Sequence, residues 1–362
     1  MGSPDTAIRR DALRERLCPL DVDVALVTNL VNIRYLTGFT GSNAALVVAA
    51  DGADVFCTDF RYRTQSAEQV PDLEHVIERN CAAALAGRLA EAGVGRVGYE
   101  SHEVTVDGLA ALTDGLPDAE LRSLQRAVED LRAVKDEAEV DLTREACAIA
   151  DRALADLMAA GGIRPGRTER AVGRDLDGRM LDHGAEQPSF ETIVASGANS
   201  AVPHHRPTGR ALAAGDFVKF DFGAAYGGYH SDMTRTVVLG PAADWQREVY
   251  AVVLEAQRLG REALRIGADV RDVDAAARDH IKAAGYGEHF GHGLGHGVGL
   301  QVHEAPTVSY LGAGTLADRM LVTVEPGVYL PGRGGVRIED TLAVRPDGPE
   351  LLTLTSKDLT VL

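Results

Sequence analysis

A chain of 362 residues, 45% of them hydrophobic, is long enough for about two domains and apolar enough to give each a core, which excludes extended disorder. Its 54 acidic side chains against 37 basic ones leave a net charge of −17, and so acidic a chain is not built to bind nucleic acid or an anionic membrane, which needs clustered Lys and Arg. Its longest apolar run, 44–50, falls far short of the roughly 20 residues of a membrane helix, and the polar N-terminus has no signal-peptide core. The opening MGSPDT fits a myristoylation pattern only as short patterns do by chance. Cys18, Cys57, Cys81 and Cys147 are scattered with no CxxC pair, which reads as reduced, buried thiols in a cytoplasmic protein.

In chain order, strands are expected at 22–27, 45–50, 53–58 and 96–101, and helices at 8–17, 60–70, 81–92 and 103–113. That alternation predicts an α/β layer domain. No GxGxxG follows any of the strands, so a dinucleotide site has no support. Around 124–136 the sequence becomes charged and helical, which places a domain boundary near Gln125 and divides the chain into 1–125 and 126–362. Beyond it, long helices at 136–160, 167–183, 243–265 and 269–284 frame strand pairs, and eight of the eleven histidines fall between 204 and 303.

Two of those strand pairs carry acidic residues. In FVKFDFGAAYGGYHSDMTRTVV, 217–238, a turn centred between Tyr226 and Gly227 would set Asp221 directly opposite Asp232, with Thr234 and Thr236 on the same face. In LVTVEPGVYLPGRGGVRIEDTLAV, 321–344, a turn about Gly332 sets Glu325 opposite Glu339. VKFDFG at 218–223 and VTVEPG at 322–327 align, which suggests a faint internal duplication. Facing carboxylates repel unless one is protonated or a cation lies between them. Four carboxylates and an imidazole suit a pair of hard or borderline divalent ions, and the lack of thiolate ligands argues against structural zinc.

The imidazoles are densest in GHGLGHGVGLQVHE, 291–304, where His292, His296 and His303 stand among five glycines. So much glycine makes a helix improbable; close backbone approach or unusual φ beside a ligand accounts for it better. The His204–His205 pair in SGANSAVPHHRPT is a weaker signal.

The order Asp221, Asp232, His296, Glu325, Glu339, together with HGLGHGVGLQVHE and GVRIEDT, resembles the pita-bread metallopeptidases, the group of methionine aminopeptidase, aminopeptidase P and prolidase. That resemblance covers 130–362. A fainter one, NIRYLTGFTGSNAALVV with TDFRYRTQS, ties the first half to the creatinase-type N-terminal domain of aminopeptidase P and prolidase. The fold expected is therefore an α/β N-terminal domain followed by an α+β pita-bread catalytic domain.

The resemblance also implies a site. Asp221 would chelate one metal ion, His296 and Glu325 the other, and Asp232 and Glu339 would bridge them. The ions would be Mn²⁺ first, with Co²⁺ or Zn²⁺ as alternatives, and a hydroxide shared between them would be the nucleophile. Glu325 would also relay a proton. His204 would lie near the scissile amide, His303 would stabilise the oxyanion, His292 would line the leaving-proline side, and Arg337 would support the ligands. His205 would be structural. The substrate expected is a peptide with proline second and the enzyme expected is a homodimer. Archaeal-type prolidases carry Arg where this chain has Thr307, so aminopeptidase P is the first reading and Xaa-Pro dipeptidase the second, with Arg34, Arg61 or Arg333 as other carboxylate holders. A metal-free pseudo-peptidase that only binds is a remote third reading, which the intact ligand set disfavours.

Overall fold

The structure, a computed structural model, describes residues 5–362, so the first four residues of the myristoylation-like pattern lie outside the described residues. It divides into two compact units, one running to Arg132 and the other from Ala133 to Leu362.

The first unit runs α1 (Thr6–Leu17), β1 (Val24–Val27), α2 (Leu30–Thr37), β2 (Ala44–Ala49), β3 (Val55–Thr58), α3 (Arg63–Gln69), β4 (Glu74–Ile77), α4 (Cys81–Glu91), β5 (Arg96–Tyr99), α5 (Val106–Gly115), β6 (Glu120–Ser123) and α6 (Ala127–Ala133). Its strands form one mixed sheet, β4-β3-β2-β1-β5-β6, antiparallel through β1–β3 and parallel towards both edges. The α/β layering follows the sequence expectation. The two edge strands do not: EHVI and ELRS are polar and half-exposed, and lack the apolar run that marks the buried strands. Helix α2 was also unexpected, although Asn29 caps its start by accepting from the Val31 and Asn32 amides and Gly38 ends it at φ 78°. The Gln125 division falls just ahead of α6, at whose end the units part. Cys57, Cys81 and Cys147 are buried but Cys18 is exposed, against the expectation that all four are enclosed.

The second unit repeats one plan twice. Helices α7 (Glu137–Ala159) and α8 (Glu169–Asp182) are followed by β7 (Gln187–Pro188), β8 (Ile193–Ser196), β9 (Phe217–Phe222), β10 (Ala224–Tyr226), β11 (Tyr229–His230) and β12 (Met233–Val238). Helices α9 (Asp244–Ala263) and α10 (Val270–Ala283) are followed by β13 (Gly295–Gly297), β14 (Glu304–Val308), β15 (Leu321–Val324), β16 (Gly327–Leu330), β17 (Gly334–Arg337), β18 (Asp340–Ala343) and β19 (Glu350–Leu351). Each helix pair packs on its own sheet: Leu154, Leu157, Leu176 and Met180 meet Val218, Phe220 and Phe222 in one core, and Val253, Val273, Ala277 and Ile281 meet Val322, Val324 and Leu342 in the other. A capping box at Asp136 and Glu139 starts α7 within a residue of where the sequence placed it.

The two acidic hairpins differ from expectation in one respect. In the first, β10 and β11 close through Gly227 and Gly228, both with positive φ (57° and 81°), one position beyond the centre expected. Asp221 therefore pairs with Thr234, and Asp232 is its diagonal neighbour instead of its direct partner. Side chains alternate with period two, so moving each opposed pair by two positions leaves both aspartates on one face. The second hairpin keeps the expected register on both sides of the acidic pair, from Leu321 opposite Ala343 to Leu330 opposite Gly334.

Candidate metal centre

The hairpins meet along β12. The Glu339 amide donates to the Thr234 carbonyl at 3.1 Å, the Thr236 hydroxyl donates to the Arg337 carbonyl at 3.0 Å, and the Thr341 hydroxyl donates to the Asp232 carbonyl at 2.8 Å. Between β15 and β16 the ladder opens, and the Glu325 amide turns away to the Leu294 carbonyl at 2.8 Å. Asp221, Thr234, Glu339, Glu325 and the His296 strand consequently lie in one row across adjoining strands, with Asp232 two residues along from Thr234. Long-range pairing thus gathers carboxylates from positions 221 to 339 onto one surface.

One donor atom from each of Asp232, His296 and Glu339 lies within 4.8 Å of the other two. His296 Nε2 is 3.6 Å from Asp232 Oδ2 and 3.4 Å from Glu325 Oε1. Its Nδ1 lies 3.0 Å from the Gly297 carbonyl, to which it donates, leaving the Nε2 lone pair facing the carboxylates. Asp221 joins through Arg337, whose Nη2 donates to Asp221 Oδ2 while its Nε lies 4.0 Å from Glu325 Oε2.

The electrostatics call for a cation. Burial, followed by the charges of Glu339, Asp221 and Glu325, pushes the Asp232 carboxyl well above its ordinary range. Burial and then Glu325 and Asp221 do the same to Glu339. Burial and Asp221 push Glu325 up to about 7 against the opposing pull of Arg337. Asp221 Oδ1 and Asp232 Oδ1 are buried and accept no hydrogen bond from the described residues, so two carboxylate oxygens stand without a partner. Oxygen donors with one imidazole fit hard or borderline divalent ions, so the residues present fit such a group.

A cleft of about 510 Å³ opens over the cluster, lined by His204, His292, His296, His303, Thr307, Glu325 and Arg337. The histidines differ in what they can do. His292 is committed at both nitrogens, Nδ1 with the Gly293 carbonyl at 2.8 Å and Nε2 with the Tyr329 hydroxyl at 2.9 Å, and burial lowers its pKa to about 4, which keeps it neutral. The ring of His303 stands edge-on to that of His296 with centroids 4.4 Å apart. His205 lies outside the cleft lining; its Nε2 is 2.9 Å from the fully buried Glu169, a structural contact.

Two kinds of residue were missed. Thr234 donates to Glu339 Oε2 at 2.6 Å and accepts from Arg337 Nε at 2.9 Å, while Thr323 donates to Glu325 Oε1 at 3.3 Å and accepts from the His296 amide at 3.1 Å. Tyr329 links His292 to Arg337 Nη1, 2.9 Å from its hydroxyl. Their alternation with Asp232 and Glu325 was the available signal, but strand threonines and tyrosines are too common to single out. The glycines around His296 follow one half of the expectation and not the other. None between 291 and 299 has positive φ, and a Cβ at Gly295 or Gly297 would come within 2.0 or 2.1 Å of the Thr323 or Ala305 carbonyl oxygen. Of the two reasons expected for these glycines, close backbone approach holds and unusual φ does not, and Gly291, Gly293 and Gly295 also line the cleft.

The fold is that of a pita-bread metallopeptidase carrying a creatinase-type N-terminal domain. Residues 141–346 match the metallopeptidase family M24 and residues 9–134 the creatinase/prolidase N-terminal domain, and the chain belongs to that family. It is 40% identical to the uncharacterized peptidase YqhT of Bacillus subtilis, over 98% of this chain and 100% of that one. It is 33% identical to the Xaa-Pro dipeptidase of Pyrococcus furiosus, over 93% and 95% of the two chains. The solved structure of an Xaa-Pro dipeptidase from Bacillus anthracis superposes with a TM-score of 0.95 at 38% identity, over 99% of this chain and 100% of that one. No helix among the described residues is long and apolar enough to cross a membrane.

Proposed function

We propose that this chain is an Xaa-Pro dipeptidase, a correction to the aminopeptidase P preference drawn from Thr307. The observation that carries it is the full-length likeness to proteins described as Xaa-Pro dipeptidases, at 33% identity in one case and a TM-score of 0.95 in another. Asp221, Asp232, His296, Glu325 and Glu339 would hold two divalent ions, Mn²⁺ foremost; when bound, such a pair polarises a carbonyl and acidifies water towards neutrality. Every other part is played by the chain. His303, exposed in the cleft, donates to the carbonyl oxygen as it gains charge. His292, with both nitrogens occupied, offers the proline ring a neutral wall. His204 at the rim meets the scissile amide, and Arg337 holds Asp221 in place while Thr234 holds Glu339.

Thr307 favours the second reading, aminopeptidase P. It lies opposite His296 on the cleft wall and offers a hydroxyl where a free proline carboxylate would favour a guanidinium. The test is to assay Ala-Pro beside Ala-Pro-Ala with Mn²⁺. A dipeptidase cleaves the first with the higher kcat/KM; faster cleavage of the tripeptide, shifted back towards the dipeptide by Thr307→Arg, would establish the aminopeptidase instead.

A further inference from the structure

One residue of β9 is not explained by its place in the sheet. The strand lies between β8 and β12 and is buried along its whole length, and alternation sets Lys219 on the face of Asp221. A fully enclosed lysine is costly unless its ammonium finds acceptors. Lys219 Nζ donates to the Val202 carbonyl at 2.8 Å and the Pro203 carbonyl at 3.2 Å, and it lies 5.0 Å from the centre of the Tyr329 ring.

Both acceptors precede His204. The Pro203 carbonyl also accepts from Arg337 Nη1 at 3.2 Å, so two buried side chains donate to the oxygen one peptide ahead of that histidine. Proline restricts its own φ, and successive carbonyls aimed at one ammonium restrict the bonds around them. The His204 ring has no hydrogen-bond partner of its own among the described residues, yet it lines the cleft. The hydrogen bonds nearest to it are those on the two carbonyls that precede it.

We propose that Lys219 is a positioning residue that sets His204 over the cleft by holding the carbonyls of Val202 and Pro203. This rests on the reading above in which His204 meets the substrate. Lys219→Met removes the donor while keeping much of the side-chain volume, and the test is a double-mutant cycle with His204→Ala in the Mn²⁺-loaded protein, reading kcat and KM on Ala-Pro and the bound metal. Lys219→Met should lower kcat/KM by about 100-fold, mainly in kcat, with metal content unchanged, because small misplacements near the reacting atoms have effects of that size. In the His204→Ala background the same change should cost less than about twofold. Equal losses in both backgrounds would overturn the proposal. Crystal structures of the wild type and Lys219→Met give a second readout that needs no activity: residues 202–204 should shift or split between conformers, and an unmoved His204 ring would also overturn it. Should the wild type cleave no Xaa-Pro peptide, the functional reading fails while the crystal comparison still decides the positioning. If Lys219→Met does not fold, Lys219→Gln, which keeps a donor but is too short to serve both carbonyls, takes its place in both arms.

Discussion

Removing the charge of Glu325 from the metal-free protein should make it more stable. Glu325 titrates near 7 in the folded chain against an ordinary 4.5, so between those values the folded state binds a proton that the unfolded state has released. Stability attributable to this group therefore falls as pH rises through that window. Thermal melts of chelator-treated wild type should show decreasing stability from about pH 5 to about pH 8, and Glu325→Gln should flatten that part of the curve. Identical slopes in the two proteins would refute the assignment. The imidazoles separate by role in the same way. His296→Ala should lose bound metal, whereas His303→Ala should keep it and lose about 2.7–4 kcal/mol of transition-state stabilisation, as when one oxyanion donor is deleted. Metal analysis beside kcat/KM distinguishes the two, and equal depletion of metal would contradict the separation. These residues were legible because carboxylate and imidazole side chains in unusual density declare their chemistry. Thr234, Thr323 and Tyr329 were not, because their value lies only in which oxygen they face.

At the scale of elements, the metal centre depends on how closely strands approach. Gly295 brings β13 against β15, and a Cβ there would stand 2.0 Å from the Thr323 carbonyl oxygen. Gly295→Ala should force the strands apart, cost about 1–3 kcal/mol as overpacking does, and weaken metal binding by moving His296 away from Glu325. Denaturant melts and metal titration of the variant check both parts; unchanged affinity would show that His296 does not depend on this contact. The two hairpins show how far register can be read from a turn. Pro331 and Gly332 marked the second turn, and the ladders on either side keep the register that follows from it. In the first, Tyr226 competed with Gly228 for the turn, and only the pairing of β9 with β12 decides in favour of the two glycines.

At the scale of the whole molecule, every metal-ligating candidate lies in the unit from Ala133 to Leu362, split between its two halves. Metal should therefore tie those halves together without stabilising the six-stranded sheet of the first unit. A ligand at a hundred times its Kd adds about 2.7 kcal/mol to the state that binds it. Hydrogen exchange with and without Mn²⁺ should show slowed opening of β9, β12, β15 and β18 and no change in β1–β6. Protection spread evenly over both units would count against this picture.

The sequence by itself determined the four long helices of the second unit, the α/β character of the first, the identity of the acidic residues and imidazoles, and the face on which each pair lies. All of these depend on local periodicity, capping and turn chemistry. Only the tertiary structure decided that Thr234 stands between Asp221 and Glu339, that Arg337 reaches back to Asp221 across 116 positions, and that a buried lysine clamps the loop before His204. These are pairings between distant strands, set by the packing of each helix pair on its own sheet, and no local pattern along the chain encodes which strands will meet.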